Sequence, residues 1–513
     1  MSGRIVQGAD ITSPQELTCD VCIVGSGAGG SVLAARLAAE GLSVIVLEEG
    51  GYYARPDFDL NLGSAFDRLY QDGGRRATDD LSITVLQGRS IGGSTTINWT
   101  TCYRTPDRIL DHWRDVHGVD TLNAEVLGPH WDRVEERLNI HRWEESPPNA
   151  HNSILSAGCE ALDWEFGILK RNVKGCGNTG YCGHGCPLDA KQAMHVTFIP
   201  DACRSGAVVY ADVRADRYEV TDGRVVAVHA SVMDRLTKQP TGTTVTVRPK
   251  IAVTSGGAIN SPALLIRSDI TQGPVGKRTF LHPVVAVVAT YDHDISPWAG
   301  APQSVASHQF IDRGDNTMGC FLEVPPMHPM LASVSSPLFG DDEAAFMENL
   351  KNTGTLIALH IDGLVPGDEG GTVTVDANNR IRVNYPLTAL HQEAFQFSHE
   401  RMAEVHFAAG AIEVMSLHGE PLRMTDPSQV PQLGTKSYGA HEHPIFTAHQ
   451  MGGCAMGPDP ATSVVDTRLK HHHIDNLYVV DGSVFPTALG VNPSQTIYGI
   501  ASWAAVHIAE AAR

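Results

Sequence analysis

The stretch CDVCIVGSGAGGSVLAARLAAEGLSVIVLEEGG, Cys19 to Gly51, constrains the fold more than any other part of the chain. An apolar run, Val21 to Val24, meets Gly25-Ser26-Gly27-Ala28-Gly29-Gly30. Val32, Leu33, Leu37 and Ala38 then recur at helical spacing, Gly41 stops the pattern, and a second apolar run spans Val44 to Leu47. That order predicts a β-α-β unit with a glycine turn at the start of the helix. Gly25 is expected to make the tight turn, Gly27 to admit a pyrophosphate to the backbone, and Gly30 to let helix and strand pack closely. Phosphates favour such a helix N-terminus because its free N–H groups and dipole both attract negative charge. Glu48, closing the second strand about 20 residues on, is placed to accept hydrogen bonds from a ribose.

A chain of 513 residues exceeds one ordinary core, so two or more subdomains around a shared site are expected. Its 58 acidic residues against 38 basic ones give a formal charge of −20, the wrong sign for holding phosphate backbones, so no nucleic-acid partner is expected. The N-terminus lacks the apolar core of a signal peptide, and no apolar run reaches the roughly 18 residues of a membrane span, which predicts a cytoplasmic protein. In that reducing setting the ten cysteines are expected as thiols or metal ligands. DGRVVAVHASVM after Asp222-Gly223, and TVTVDANNRIRVNY around Asn378-Asn379, alternate with period two and predict antiparallel hairpins. The second lies mid-chain and suggests a separate sheet domain interleaved with the nucleotide domain. The C-terminal segment returns to strand, turn and a helix from about Pro493.

Three segments together resemble the glucose-methanol-choline (GMC) oxidoreductases: the N-terminal unit through Leu47-Glu48-Glu49-Gly50-Gly51, Gly88-Arg89-Ser90-Ile91-Gly92-Gly93-Ser94-Thr95-Thr96-Ile97-Asn98, and Gly257-Ala258-Ile259-Asn260-Ser261-Pro262-Ala263-Leu264-Leu265. The resemblance implies an α/β fold, a Rossmann-like FAD-binding domain (1–130, 195–270 and 430–513) interleaved with an α+β substrate domain on an antiparallel sheet (131–194 and 271–429). It implies FAD contacts at Gly25, Gly27, Ala28, Gly30, Glu48, Glu49, Arg89, Gly92, Gly93, Ser94, Asn98, Val213, Asp481, Gly482, Asn492, Pro493 and Thr496. Two departures stand out: Cys102 where the first signature has an aromatic residue or Ala, and Ser268-Asp269-Ile270-Thr271 where the second has Ser-Gly-x-Gly. Some relatives attach FAD through a His one position before the signature Asn; Ile97 stands there, so noncovalent FAD is expected.

Thr447-Ala448-His449-Gln450-Met451-Gly452-Gly453-Cys454 and Gly490-Val491-Asn492-Pro493 look like the family's catalytic blocks, which makes His449 and Asn492 the catalytic pair, as in the cholesterol-oxidase-like branch. The residue types suit alcohol oxidation: a hydride leaves carbon for the flavin while imidazole, with an ordinary pKa near 6.5, takes the hydroxyl proton. A small-molecule alcohol is the expected substrate, with the electron acceptor open between oxygen, quinone and a partner protein. The same family also contains lyases and photodecarboxylases, and a non-catalytic flavin-binding protein is the remaining alternative.

Cys176, Cys182 and Cys186 fall in KGCGNTGYCGHGCPLDAK, where glycines let backbone wrap around a compact object. Their C-x5-C-x3-C-P spacing resembles that of the cluster-bearing sugar dehydrogenases of the family, implying a 3Fe-4S cluster. Plain structural thiols and a zinc site completed by His184 or His195 stay open beside it. Cys19 and Cys22 are expected in the core, and Lys470-His471-His472-His473 in a solvated turn. Trp298, Phe310, Phe321 and Phe339, with nearby methionines, are expected to line an apolar substrate cavity.

Overall fold

The computed structural model describes residues 3–513. The glycine-led unit forms a strand Gln15–Val24, a helix Ala28–Ala39 and a strand Val44–Leu47. The two strands run parallel, with Val21 opposite Val44 and Val24 opposite Leu47. They lie inside an eight-stranded sheet ordered Arg4–Val6, Val208–Tyr210, Val44–Leu47, Gln15–Val24, Pro240–Thr254, Arg224–Met233, Val213–Thr221, with Leu477–Val479 also paired to Pro240–Thr254. All four residues of Val44–Leu47 are buried, as a parallel strand covered on both faces requires. The helix Ala28–Ala39 packs on the C-terminal helix Ser494–Ala512. Cys19 and Cys22 lie in this core, as expected.

The first expected hairpin closes this sheet. Thr221 pairs with Arg224 across Asp222 (φ 50°) and Gly223 (φ 72°), a two-residue left-handed turn whose twist matches the flanking strands. The second hairpin, Gly371–Val375 with Ile381–Asn384, joins Lys277–Phe280 and Met451–Gly452 in a sheet of four.

A nine-stranded sheet forms the other half, ordered Arg423–Met424, Glu413–Ser416, Val284–Thr290, Thr353–His360, Cys320–Glu323, Val305–Ser307, Gly167–Ile168. The pairings among these strands are antiparallel, and the helix Ala389–Ala408 packs across them. Ile445–Thr447 joins at Val284 and pairs in parallel with Ile83–Val85. Those last two strands fall inside the expected nucleotide segments 1–130 and 430–513, yet they extend the second sheet. The backbone of both segments therefore crosses between the two sheets. Among the described residues no helix is long and apolar enough to cross a membrane.

Candidate active site

A cavity of about 890 Å³ lies between the two large sheets, walled by Val24 and Thr254 of the first and by Val284, Ile357 and Leu359 of the second. Gly25, Gly27, Ala28, Glu48, Glu49, Arg89, Gly93, Ser94, Asn98, Asp481, Gly482, His449, Asn492 and Pro493 all line it. The glycines divide their work as the sequence suggested. A Cβ on Gly30 would sit 2.0 Å from the Gly25 carbonyl oxygen, so only glycine lets the helix approach the turn. A Cβ on Gly27 would have nothing nearer than Gly93 Cα at 4.0 Å, so this backbone faces open space. The amide oxygens of Asn98 and Asn492 are buried without a partner. An open backbone at a helix start, with unpaired polar atoms along the wall, suits a dinucleotide cofactor carrying a diphosphate.

Two carboxylates frame the turn. Glu48 accepts from the Ser26 amide (3.0 Å), the Ser26 hydroxyl (2.7 Å) and the Gly50 amide (2.8 Å). It therefore braces the glycine loop as well as facing the cavity. Burial raises its pKa above the ordinary carboxylate range. Asp481 accepts from the Gly257 amide at 2.8 Å, from the Ser261 hydroxyl and from the Ser483 amide at 2.8 Å, tying three chain segments together at the wall. Arg89 donates to Glu49 at 3.2 Å.

Four of the expected contact residues do not line the cavity. Gly30 is spent on helix-strand packing. The Gly92 amide donates to Ser26 Oγ at 3.1 Å, behind the loop. Val213 is fully buried in the sheet core, and its neighbours Arg214 and Ala215 line the cavity in its place. The Thr496 hydroxyl is taken by Thr105 Oγ1 at 2.8 Å.

His449 and Asn492 meet as expected: Asn492 Nδ2 lies 3.3 Å from His449 Nε2. The structure adds partners that the sequence concealed. His449 Nδ1 lies 3.1 Å from Nδ1 of the fully buried His282, whose own amide donates to Asp362 Oδ1 at 3.1 Å. Two imidazoles joined Nδ1 to Nδ1 share one proton. The Gly490 amide donates to His282 Nε2 at 3.3 Å, so the neutral His282 carries its proton on Nδ1 and donates it to His449 Nδ1. Burial holds the His449 pKa down to about 4 and that of His282 well below its ordinary value. Both rings are therefore neutral at pH 7. On the far side of Asn492 stands Glu323, fully buried, with its pKa pushed up to about 8 by desolvation. Gln303 Nε2 donates to Glu323 Oε2, and Glu323 Oε1 is buried without a partner. Glu323 is the lone charge-bearing residue of an apolar strand, Cys320–Glu323, and that was the signal available in the sequence.

The three-cysteine loop is filled by protein. A Cβ on Gly180 would lie 2.1 Å from the Trp298 carbonyl oxygen, and one on Gly185 2.2 Å from the Phe58 ring. Tyr70 Oη donates to the Gly183 carbonyl at 2.8 Å. The compact object that the glycines admit is thus the neighbouring chain. Lys191 staples the loop to the cavity wall, donating to the carbonyls of Thr96 (2.5 Å), Asn98 (3.1 Å) and Cys182 (2.7 Å). Cys176, Cys182 and Cys186 are half-buried free thiols. Among the described residues the one group of three His, Cys or acidic side chains with ligand atoms mutually within 4.8 Å lies elsewhere, so neither the cluster nor the zinc alternative with His184 or His195 gains support.

Two further expectations are corrected. Trp298, Phe310, Phe321 and Phe339 do not line the cavity. Phe339 is 86% exposed, and Phe321 packs behind His282 with ring centroids 5.7 Å apart. The turn at Lys470 to His473 is solvated at its tip only, since His471 is buried beneath it.

Residues 66–284 match the N-terminal GMC oxidoreductase domain and residues 366–501 the C-terminal one. The chain belongs to the GMC oxidoreductase family. A long-chain-alcohol oxidase of Arabidopsis thaliana is 29% identical over 528 residues, covering 97% of this chain and 69% of that protein. A GMC-type oxidoreductase of Sinorhizobium fredii is 29% identical over 513 residues, covering 98% and 96%. Among solved structures, pyridoxine 4-oxidase from Mesorbium loti superposes with a TM-score of 0.70 at 19% identity over 95% of this chain and 99% of its own. Formate oxidase from Aspergillus oryzae reaches 0.72 at 15% identity over 96% and 98%. These structures establish the GMC fold with its mixed α/β content.

Proposed function

We propose that this GMC oxidoreductase oxidises an alcohol with noncovalently bound FAD, His449 removing the hydroxyl proton. The observation that carries the reading is one cavity wall holding both the open backbone at Gly27 and the His449–Asn492 pair. Gly25 to Ala28 with Gly93 and Ser94 would hold the diphosphate, and Glu48 and Glu49 the ribose side. FAD, when bound, supplies the hydride acceptor. His449, with Nε2 toward Asn492, takes the proton of the substrate hydroxyl while His282 holds its Nδ1. Asn492 Nδ2 then donates to the substrate oxygen. His282 fixes the imidazole plane, and Glu323, uncharged at pH 7, sets no carboxylate charge beside the base.

The apolar wall of Val284, Ile357 and Leu359 favours an alcohol with a hydrocarbon chain, in keeping with a relative named for long-chain alcohols. Relatives named as oxidases make oxygen the electron acceptor of this reading. Ile97 at the cavity wall, where some relatives have His, supports a cofactor held without a covalent bond. Anaerobic titration of the purified holoenzyme with primary alcohols of increasing length tests the proposal. A flavin band that bleaches with an alcohol, and a His449→Gln variant slowed on the order of 10²- to 10⁴-fold, is the expected result. A band untouched by every alcohol, or a variant as fast as the native enzyme, refutes it.

A further inference from the structure

Outside the cavity, three buried imidazoles converge behind the second sheet. His399 sits on the helix Ala389–Ala408, His418 two residues past the strand Glu413–Ser416, and His443 two residues before the strand Ile445–Thr447. All three are at most 3% exposed, and one ligand nitrogen from each lies within 4.8 Å of the others. His399 Nε2 and His443 Nε2 are 3.1 Å apart. Tetrahedral zinc, with Zn–N bonds of about 2.0–2.1 Å, holds its nitrogens about 3.3 Å apart.

His443 Nε2 lies 3.1 Å from His399 Nε2 and 3.3 Å from the Ala286 carbonyl oxygen, so it donates in the structure as it stands, and binding an ion there would move its proton to the unpartnered His443 Nδ1. His399 Nδ1 donates to the Phe395 carbonyl at 3.0 Å, which turns a bare Nε2 toward the centre. This is the carbonyl brace that commonly orients a metal-bound histidine. Neither ring nitrogen of His418 has a hydrogen-bond partner, nor does His443 Nδ1. His418, buried with neither nitrogen bonded, is thus the imidazole that the protein itself leaves unexplained. Tyr438 packs its ring on all three, with centroids at 5.1, 4.9 and 5.6 Å. Burial keeps each histidine well below its ordinary pKa, and hence neutral, as a ligand must be.

We infer that His399, His418 and His443 form a binding site for a zinc-class divalent cation, with the fourth position left to water. None of the three lines the cavity, so the ion would be structural. It would clamp the long helix to the strand that ends two residues before His449. Access through so closed a shell points to capture during folding.

The test is metal content of untagged protein expressed in zinc-supplemented medium and passed over a desalting column. The expected result is about one zinc per chain, lost in His418→Gln but kept when His472 and His473, the solvated pair, are replaced by Ala. Cobalt in place of zinc should give intense visible bands of tetrahedral nitrogen coordination, and removing the ion with dipicolinate should lower the melting temperature of the native sequence. Should His418→Gln fail to fold, the cobalt spectrum and the chelator shift of the native protein decide. A metal-free native protein with a melting temperature indifferent to zinc overturns the inference. So does zinc that survives His418→Gln and disappears with the solvated pair.

Discussion

Gly27 and Gly30 stand three positions apart in one turn, yet alanine should do opposite things at each. At Gly30 the new Cβ would lie 2.0 Å from a backbone oxygen of Gly25. The helix gains about 1 kcal/mol of intrinsic propensity, but forcing carbon against fixed backbone costs about 1–3 kcal/mol or more. Gly30→Ala should therefore destabilise the apoprotein itself. At Gly27 the backbone is extended, φ −73° and ψ −156°, a conformation alanine accepts, and the methyl would project into open cavity. Apoprotein stability should be unchanged. The methyl would instead hold a diphosphate off the helix start. Losing one charge-assisted hydrogen bond, about 1.5–3 kcal/mol, weakens FAD binding about 10- to 150-fold. Thermal unfolding of both apoproteins, paired with flavin-fluorescence titration, separates the two effects. FAD binding by Gly27→Ala within about twofold of the native protein would refute the placement of the diphosphate. Equal loss of stability in both variants would refute the reading of the glycine geometry.

Because burial lowers the His449 pKa to about 4, its neutral base form persists above that pH. The acid limb of kcat/KM should fall near pH 4, where an unperturbed imidazole would titrate near 6.5; a limb at 6.5 contradicts the buried pair. Glu323→Gln should leave turnover within about threefold at pH 7, where the carboxyl is already protonated, and should remove any inflection near pH 8; an equally large loss at every pH would show that its charge is used. His151 and His308, held down to about 4, and His360 and His406, held down to about 3, are buried and uncharged. Their unfolded forms take up protons near 6.5, so stability present above that pH drains away below it, by about 2 kcal/mol for each between pH 7.5 and 5. Urea midpoints that stay level over that range would show these rings are open to protons in the folded chain.

What could be read from the sequence was local. The β-α-β unit announces itself because turn, helix and strand are adjacent, and each glycine has a steric reason to be there. The Asp222-Gly223 hairpin was legible for the same reason. That His449 and Asn492 come together was legible through resemblance alone, since nothing in the spacing of 24 histidines singles one out. Their supports were hidden by distance: His282 is 167 positions from His449, and no periodicity links Glu323 to Asn492. The aromatic segment from Trp298 to Phe339 misled because density of large apolar residues marks core and cavity alike. In the cysteine loop the glycines were rightly read as a close wrap. What they wrap, Phe58 and the Trp298 carbonyl, comes from segments more than a hundred residues away in sequence.

The parallel pair Ile83–Val85 and Ile445–Thr447 ties two parts of the cavity wall together. One strand runs on into Gly88 and Arg89 of the cofactor loop, the other into His449, and the Leu86 amide donates to the Thr447 carbonyl at 2.8 Å where they part. In the proposed reading, cofactor seat and base are thus two prongs of a single fork. Substitutions elsewhere on the cavity wall, at Ile357 or Leu359, would reshape the keyhole while the paired strands keep the bolt in place.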